Sequence, residues 1–329
     1  MILLNEQEIQ NIYGMKQAIS DMEKMLEHKH AGKIESPMRT VIEFPEEDGS
    51  VLYMPSTDLD EEIMAMKAVT IFPNNPSQGK PTTQGVVLLS NAKNGEHVAM
   101  LNASYLTRLR TGAISGIATD RLARKNSETL TMIGTGGMAF EQALGVLAVR
   151  DIKEILLINP TKEKAHHFKE KLYDFGVDSS IKIDVLDDVS EAVSRADVIC
   201  CSTRSHDPVF NGKDVKPGTH VNGVGSYLPH MREVDFTFIE RAAKIVVDDM
   251  EGVTEEAGEL IHANEQADWS YDKIHGELIE LVTDQISVRE NDDEITFFKS
   301  VGAAYYDLAV ANGVYKIARD TDAGTKVEI

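Results

Sequence analysis

Cysteine is nearly absent from this chain of 329 residues: there are two, Cys200 and Cys201, side by side. Neighbouring cysteines on a stretch that reads as a buried strand exclude a disulfide framework and are read as small core residues. No ligand cluster with metal-binding spacing accompanies them, so no metal site is expected. Positive charge is scarce as well. Against 54 Asp and Glu stand 33 Lys and Arg, a formal net charge of −21. The far field of such a chain repels polyanions, which argues against nucleic acid and against an anionic membrane surface as partners, although local basic residues can still build an anion site. Long apolar runs are missing too: none approaches the roughly 18 residues that a membrane span needs. The first residues, Met1-Ile2-Leu3-Leu4-Asn5-Glu6, lack the basic and apolar regions of a secretion signal. A cytoplasmic location is therefore expected.

What the chain does contain is 42% apolar residues, enough for two domains with a core each. The most informative stretch begins with the apolar run Leu130-Thr131-Met132-Ile133 and breaks into Gly134-Thr135-Gly136-Gly137-Met138-Ala139. This is the G-x-G-x-x-A form of a dinucleotide fingerprint. The first glycine permits a tight turn, the second lets backbone approach a pyrophosphate, and the small last residue lets helix and strand pack closely. Phosphates would sit at the N-terminus of the following helix. A second strand, Glu154 to Asn159, follows at the right distance. Asn159 stands where an acid would usually hold the adenine ribose, and with Thr161 and Lys162 in the same loop a 2′-phosphate would be tolerated. The cofactor expected is NAD(P), with a lean to NADP(H).

Taken in order, the chain opens with a helix-starting box at Asn5 and Glu8 and a helical apolar spacing from Met15 to His30. The character then changes to antiparallel sheet. Thr40–Phe44 and Val51–Met54 flank a hairpin turn, Ile63–Ile71 and Val86–Leu89 are further strands, and Asn94-Gly95 turns the chain into Val98–Leu101. Pro73 to Thr83 reads as a loop between two of those strands. Ser104 to Lys125 predicts one long helix connecting the domains. From Leu130 onwards strand and helix alternate, the pattern of an open parallel sheet covered on both faces. Near the end, Ile295 to Gly302 reads as a strand entering a second glycine turn, followed by a helix from Ala303 to Asn312. The acidic cluster 290–294 reads as a solvated turn. The fold class expected is α/β, a Rossmann-type doubly wound parallel sheet, plus a smaller α+β domain with antiparallel sheet. The substrate and dimerisation domain would span 1–113, completed by 305–329, with the dinucleotide-binding domain at 114–304.

Three cations in the first domain stand out: Arg39 before the first hairpin strand, Lys67 within Met64-Ala65-Met66-Lys67-Ala68-Val69, and Arg110 on the connecting helix. Lys67 interrupts a nearly continuous apolar segment, so its ammonium must either face solvent or pair with something. From these residues alone, a lysine on the wet face of a strand and surface positions for both arginines stay open.

The chain resembles the ornithine cyclodeaminase/mu-crystallin family over essentially its whole length. The match is carried by Ser36-Pro37-Met38-Arg39, the Lys67 strand, Pro81-Thr82-Thr83-Gln84-Gly85, Leu109-Arg110-Thr111-Gly112-Ala113, the Gly134 loop, Val224-Gly225-Ser226 and Phe298-Lys299-Ser300-Val301-Gly302. The resemblance implies a homodimer that binds NAD(P) in the second domain and a small amino or imino acid between the domains. By the same resemblance Arg39 and Arg110 hold the substrate carboxylate, Thr82 adds a hydrogen bond and Lys67 is the catalytic group beside the reacting nitrogen and carbon. The cofactor would be held by Gly134, Thr135, Gly136, Gly137, Met138, Asn159, Thr161, Lys162, Thr203, Val224, Gly225, Ser300 and Gly302. A guanidinium fork suits a carboxylate, and a lysine among cations loses basicity. The family's cyclodeaminases carry an aspartate shortly after the Val-Gly pair, whereas here Val224-Gly225-Ser226-Tyr227-Leu228-Pro229 holds no carboxylate and Tyr227 falls at about that place. The resemblance therefore favours an NAD(P)H-dependent reductase of a cyclic ketimine such as pyrroline-2-carboxylate. Ornithine cyclodeaminase, alanine dehydrogenase and a non-catalytic NADPH-dependent binder of a small ligand are the rivals.

Overall fold

The computed structural model describes residues 1–266 and 268–328. Ala267 and Ile329, the latter the last residue of the segment expected to complete the first domain, lie outside the described residues. The chain divides into two compact units, 1–110 with 303–329, and 111–302.

The first unit begins with β1 (Ile2–Leu4), α1 (Glu6–Ile12) and α2 (Met15–His30). Asn5 caps α1: its side chain accepts from the Glu8 amide at 3.0 Å, and Glu8 accepts from the Asn5 amide at 2.8 Å. Strands β2 (Ile34–Glu35), β3 (Thr40–Phe44), β4 (Gly49–Asp58), β5 (Ile63–Ile71), β6 (Thr83–Asn91) and β7 (His97–Asn102) follow, and the chain then enters α3 (Ala103–Leu122). The boundary between the units falls inside this helix, after Arg110.

The second unit alternates strand and helix. It runs through β8 (Thr129–Ile133), α4 (Ala139–Val149), β9 (Glu154–Ile158), α5 (Lys162–Phe175), β10 (Lys182–Val185), α6 (Val189–Arg195), β11 (Val198–Cys201) and β12 (His220–Gly223). Then come α7 (Phe236–Arg241), β13 (Lys244–Val247), α8 (Met250–Glu256), α9 (Gly258–Asn264), β14 (Gly276–Glu277), α10 (Leu278–Val282) and β15 (Thr296–Lys299). The chain returns to the first unit as α11 (Ala304–Thr321) and β16 (Thr325–Lys326).

In the second unit every strand pairing is parallel, in the order β10-β9-β8-β11-β12-β15-β13-β14. Its strands read as continuous apolar runs because helices cover both faces, as parallel sheets require. From β8 the chain proceeds outward through β9 to β10 and then jumps back to β11 on the other side of β8. The reversal lies between β8 and β11, and in open sheets of this kind ligands bind at the carboxyl ends of the strands beside such a point. Cys200 and Cys201 are buried in β11, and burial pushes the Cys200 thiol up to about 12, so both are inert core residues.

The first unit's sheet has the order β16-β1-β7-β6-β5-β4-β2, with β3 also on β4. It departs from the expected antiparallel sheet at one pair, since β1 runs parallel to β7. Strands β1 and β16 were not legible: three and two residues are too few to show a period of two. The last helix extends to Thr321 rather than Asn312, because Gly313 inside it packs against Tyr13 and Asp21 and does not end it.

Candidate active site

The alternation of β5 decides where Lys67 points. Lys67 lies opposite Met54 on β4 and Val87 on β6, both buried, whereas its neighbours Met66 and Ala68 belong to the opposite face with Tyr53 and Val86. Lys67 therefore lies on the inner face, against α11, and only 3% of it is exposed. Its Nζ donates to Asp307 Oδ2 at 2.5 Å. Asp307 sits in the first turn of α11, where the helix dipole favours a negative charge, and only 1% of it is exposed. Its other oxygen accepts from Thr107 Oγ1 at 3.2 Å and lies 3.7 Å from Nε of Arg110. Arg110 is 7% exposed, one turn after Thr107 on α3. Arg39 is half-buried and close enough for its charge to act on Lys67. Thr82 is half-buried at the end of the loop before β6, its carbonyl accepting from the Phe72 amide at 2.8 Å.

Lys67 and Arg110 thus flank one buried carboxylate, and the Arg39 charge reaches Lys67. Burial lowers the pKa of Lys67 and the Arg110 and Arg39 charges lower it further, while Asp307 opposes them; the outcome is about 8. An ammonium held there gives up its proton near neutral pH. Sequence reasoning missed Asp307. The signal was there, since it is an acid inside the apolar run Ala303-Ala304-Tyr305-Tyr306-Asp307-Leu308-Ala309-Val310, a counterpart to the lysine that interrupts β5.

In the second unit the other candidate residues gather at the carboxyl ends of the parallel strands. Gly134 follows β8 with φ of +89°, and a side chain there would strike Ser202 and Thr203 in the loop after β11. A Cβ on Gly136 or Gly137 would meet nothing within 4 Å, so the backbone of this turn faces open space just before the N-terminus of α4. No side chain caps that helix from Met138, and Thr135 Oγ1 is buried without a hydrogen-bond partner. Exposed backbone, an uncapped helix start and an orphaned hydroxyl form a cradle that fits a pyrophosphate. Asn159, after β9, accepts from the Thr135 amide at 3.3 Å and donates to the Thr161 carbonyl at 2.8 Å. Lys162 is exposed and paired with Asp187 at 2.6 Å. That carboxylate is a counterweight to the lean towards a 2′-phosphate.

Three further acids, missed in the sequence, hold the remaining loops. Buried Glu233 accepts from Thr203 N at 2.5 Å, Thr203 Oγ1 at 2.8 Å, Gly225 N at 2.8 Å and Ser226 N at 3.3 Å, which joins the loops after β11 and β12. Gly225 is required there, since a Cβ would lie 2.1 Å from the Thr203 carbonyl oxygen. Lys299, fully buried, donates to Ser226 O at 2.5 Å and Ser226 Oγ at 2.6 Å and lies 3.1 Å from Glu259. Asp248 accepts from Ser300 Oγ at 2.6 Å, Val301 N at 3.1 Å and Gly302 N at 2.7 Å. The polar groups of Thr203, Gly225, Ser300 and Gly302 are thus engaged within the protein, and these residues can shape a cofactor site without donating those hydrogen bonds to it. Val224, between them, bonds its amide to the Cys201 carbonyl at 3.1 Å.

A cavity of about 410 Å³ lies elsewhere in this unit, lined among others by Arg121, Arg124, Asn126, Arg289 and Asp292. These segments precede β8 and β15, so the cavity is at the amino ends of the strands, away from the Gly134 turn. Among the described residues no group of His, Cys, Asp and Glu could hold a metal ion, and no helix is long and apolar enough to cross a membrane.

The sequence model of the ornithine cyclodeaminase/mu-crystallin family matches residues 1–322. A Delta(1)-pyrroline-2-carboxylate reductase of Bacillus thuringiensis subsp. konkukian is 38% identical over 329 residues, the full length of both chains. Among solved structures, the Thermococcus litoralis Delta(1)-pyrroline-2-carboxylate reductase in complex with NADH and L-proline superposes with a TM-score of 0.92 at 36% identity, covering 99% of this chain and 100% of that one. An archaeal alanine dehydrogenase dimer with bound NAD gives a TM-score of 0.91 at 33% identity, covering 100% of this chain and 99% of that one.

Proposed function

The chain belongs to the ornithine cyclodeaminase/mu-crystallin family, and from that premise we propose that it is an NAD(P)H-dependent reductase of a small cyclic ketimine of the pyrroline-2-carboxylate kind. The observation that carries this reading is the buried pair Lys67 and Arg110 around the carboxylate of Asp307, with half-buried Arg39 near enough for its charge to act on Lys67. Such a cluster has positive charge to spare and calls for an anionic ligand.

Arg110 and Arg39 hold the substrate carboxylate, a task for which the planar guanidinium fork is suited, and Thr82 adds a hydrogen bond. The Gly134 turn would hold NAD(P)H, which when bound would supply a hydride for the imine carbon. As the C=N π pair passes to nitrogen, the Lys67 ammonium would give its proton there. Lys67 is left as a neutral amine and regains a proton from water. The product is a cyclic secondary amino acid. Ornithine cyclisation is disfavoured, since no carboxylate stands in Val224 to Pro229 and the Ser226 hydroxyl is taken up by Lys299 and Glu259.

The second unit, with Gly134 to Met138, Asn159, Thr161, Lys162, Thr203, Val224, Gly225, Ser300 and Gly302, binds the cofactor; the first binds substrate and forms the dimer. The outer face of the first unit's sheet leaves Tyr53, Met66 and Val86 about 40% exposed, with Ile42 and Phe44 of β3 exposed on the same face. A contiguous apolar face of this kind is suited to a second copy of the chain. Light scattering should give twice the 36.3 kDa chain mass.

The deciding experiment follows cofactor absorbance with a panel of cyclic imino acids, with pyruvate plus ammonia, and with ornithine, using NADH and NADPH in turn. Oxidation of either cofactor with a cyclic ketimine is the expected result. Oxidation with pyruvate and ammonia alone would make the chain an alanine dehydrogenase, and ornithine consumed with no net cofactor change would make it a cyclodeaminase. No turnover with any of them, together with tight ligand binding, would leave a binding protein.

A further inference from the structure

We propose that Asp307 is the positioning residue of the reaction: it orients the Lys67 ammonium from the first turn of α11 and, through its charge, keeps that group in the form that donates a proton. The inference rests on the reductase reading for the direction of proton transfer. Its geometry does not depend on that reading.

Asp307 has one oxygen for each of two tasks. Oδ2 takes one N–H of the Lys67 ammonium at 2.5 Å, while Oδ1 is tied to Thr107 Oγ1 at 3.2 Å and faces Arg110 Nε at 3.7 Å. The carboxylate is therefore clamped between α3 and β5, so its direction fixes where Nζ sits. The helix start that carries it is itself held, because Ser56 Oγ on β4 donates to the Ala304 carbonyl at 3.3 Å. An ammonium has three N–H groups, and among the described residues Asp307 is the one partner of this one, leaving two for substrate.

The charge balance gives Asp307 its second role. The charged groups acting on Lys67 are Asp307 from α11, Arg110 from α3 and Arg39 from the segment before β3. Burial and both arginines drive the lysine towards the neutral amine, and Asp307 alone opposes them. At about 8 the ammonium is the main form at neutral pH. Without the carboxylate, burial and two guanidiniums act unopposed, and the neutral amine takes over at lower pH. A neutral amine has no proton to give to the imine nitrogen.

The sign follows directly. The active form is the protonated one, so kcat/KM of the wild type should be level below about pH 8 and fall tenfold per pH unit above it. In Asp307→Asn the descending limb should move to lower pH by about one unit or more, with roughly a fivefold loss or greater at pH 8. Asp307→Glu, which keeps the charge, should return the limb towards the wild-type position even if kcat stays low. Ionisation of the imine substrate is common to all three enzymes and cannot produce a difference between them. A structural role alone would lower the melting temperature and the amount of active protein while leaving the limb in place.

A readout without turnover separates this inference from the assigned reaction. Lysine labelled with 13C at Cε reports ionisation of its own amine, and the Lys67 resonance is identified by its loss in Lys67→Arg. The expected result is a titration near pH 8 in the wild type, lower in Asp307→Asn and near the wild-type value in Asp307→Glu. Identical Lys67 titrations in wild type and Asp307→Asn would overturn the proposal. A shifted titration in a protein that reduces no imino acid would leave Asp307 as the group that sets Lys67 and remove the reaction instead.

Discussion

Lys67 in the first unit and Lys299 in the second are both buried on a strand beside a carboxylate, and they differ in what surrounds them. Lys299 in the second unit reaches three acceptors, Ser226 O, Ser226 Oγ and Glu259, which match the three N–H groups of an ammonium. A second acid, Glu233, lies near enough for its charge to be felt there, so negative charge is not lacking. Lys67 in the first unit reaches one acceptor and faces two guanidiniums. Burial is common to both and therefore does not mark the reactive one. What marks it is a surplus of donors, the two remaining N–H groups of Lys67 and the Nε of Arg110, unbonded among the described residues, which an incoming carboxylate and imine can satisfy.

The contrast is broken most directly by removing each lysine in turn. Lys67→Ala should cost about 10²- to 10⁴-fold in kcat/KM, the range of a lost proton donor, with NAD(P)H affinity by fluorescence titration retained. Lys299→Met should act on the fold instead: leaving Glu259 and Ser226 without their partner should cost roughly 3–5 kcal/mol of stability by denaturant titration. If Lys299→Met kept its stability and lost turnover as severely as Lys67→Ala, the distinction drawn here would be wrong. Arg110→Lys sharpens the comparison at smaller scale. A point charge in place of the fork should lose roughly 1.5–3 kcal/mol of carboxylate binding, read as KM about ten- to a hundredfold higher. An unchanged KM would put the substrate carboxylate elsewhere. The smallest effect is expected at the cofactor loop. Asp187→Ala releases Lys162 from an exposed pair and should raise the ratio of NADPH to NADH efficiency by about threefold, as a surface ion pair allows. A ratio that does not move would take Lys162 out of cofactor choice.

The two units were also unequally legible. The second announces itself in local sequence: strand, glycine turn and helix are consecutive, and each parallel strand is a short apolar run between turn signals. Strand β9 begins at Glu154 as expected and ends at Ile158, one residue before the expected Asn159. The loops at the strand ends could be named from the family resemblance, but not the acids that hold them. Glu233, Asp248 and Glu259 bond to backbone and hydroxyl groups brought near only by the sheet, and an acid in a helix or loop reads in sequence as a solvated one. In the first unit Lys67 was visible as an interruption, yet a strand alternates, and one residue of register separates the wet face from the core. Asp307 was harder still, being 240 positions away along the chain.

Composition and local pattern determined that this polypeptide is an α/β protein with a dinucleotide turn at Gly134, because those features rest on neighbours within a few residues. The register of β5 against β4 and β6 was decided by tertiary structure, and with it the inward direction of Lys67. The packing of α11 onto that sheet then supplied Asp307. A buried charge can be kept only where a partner meets it, and that meeting depends on the folded sheet and helix together.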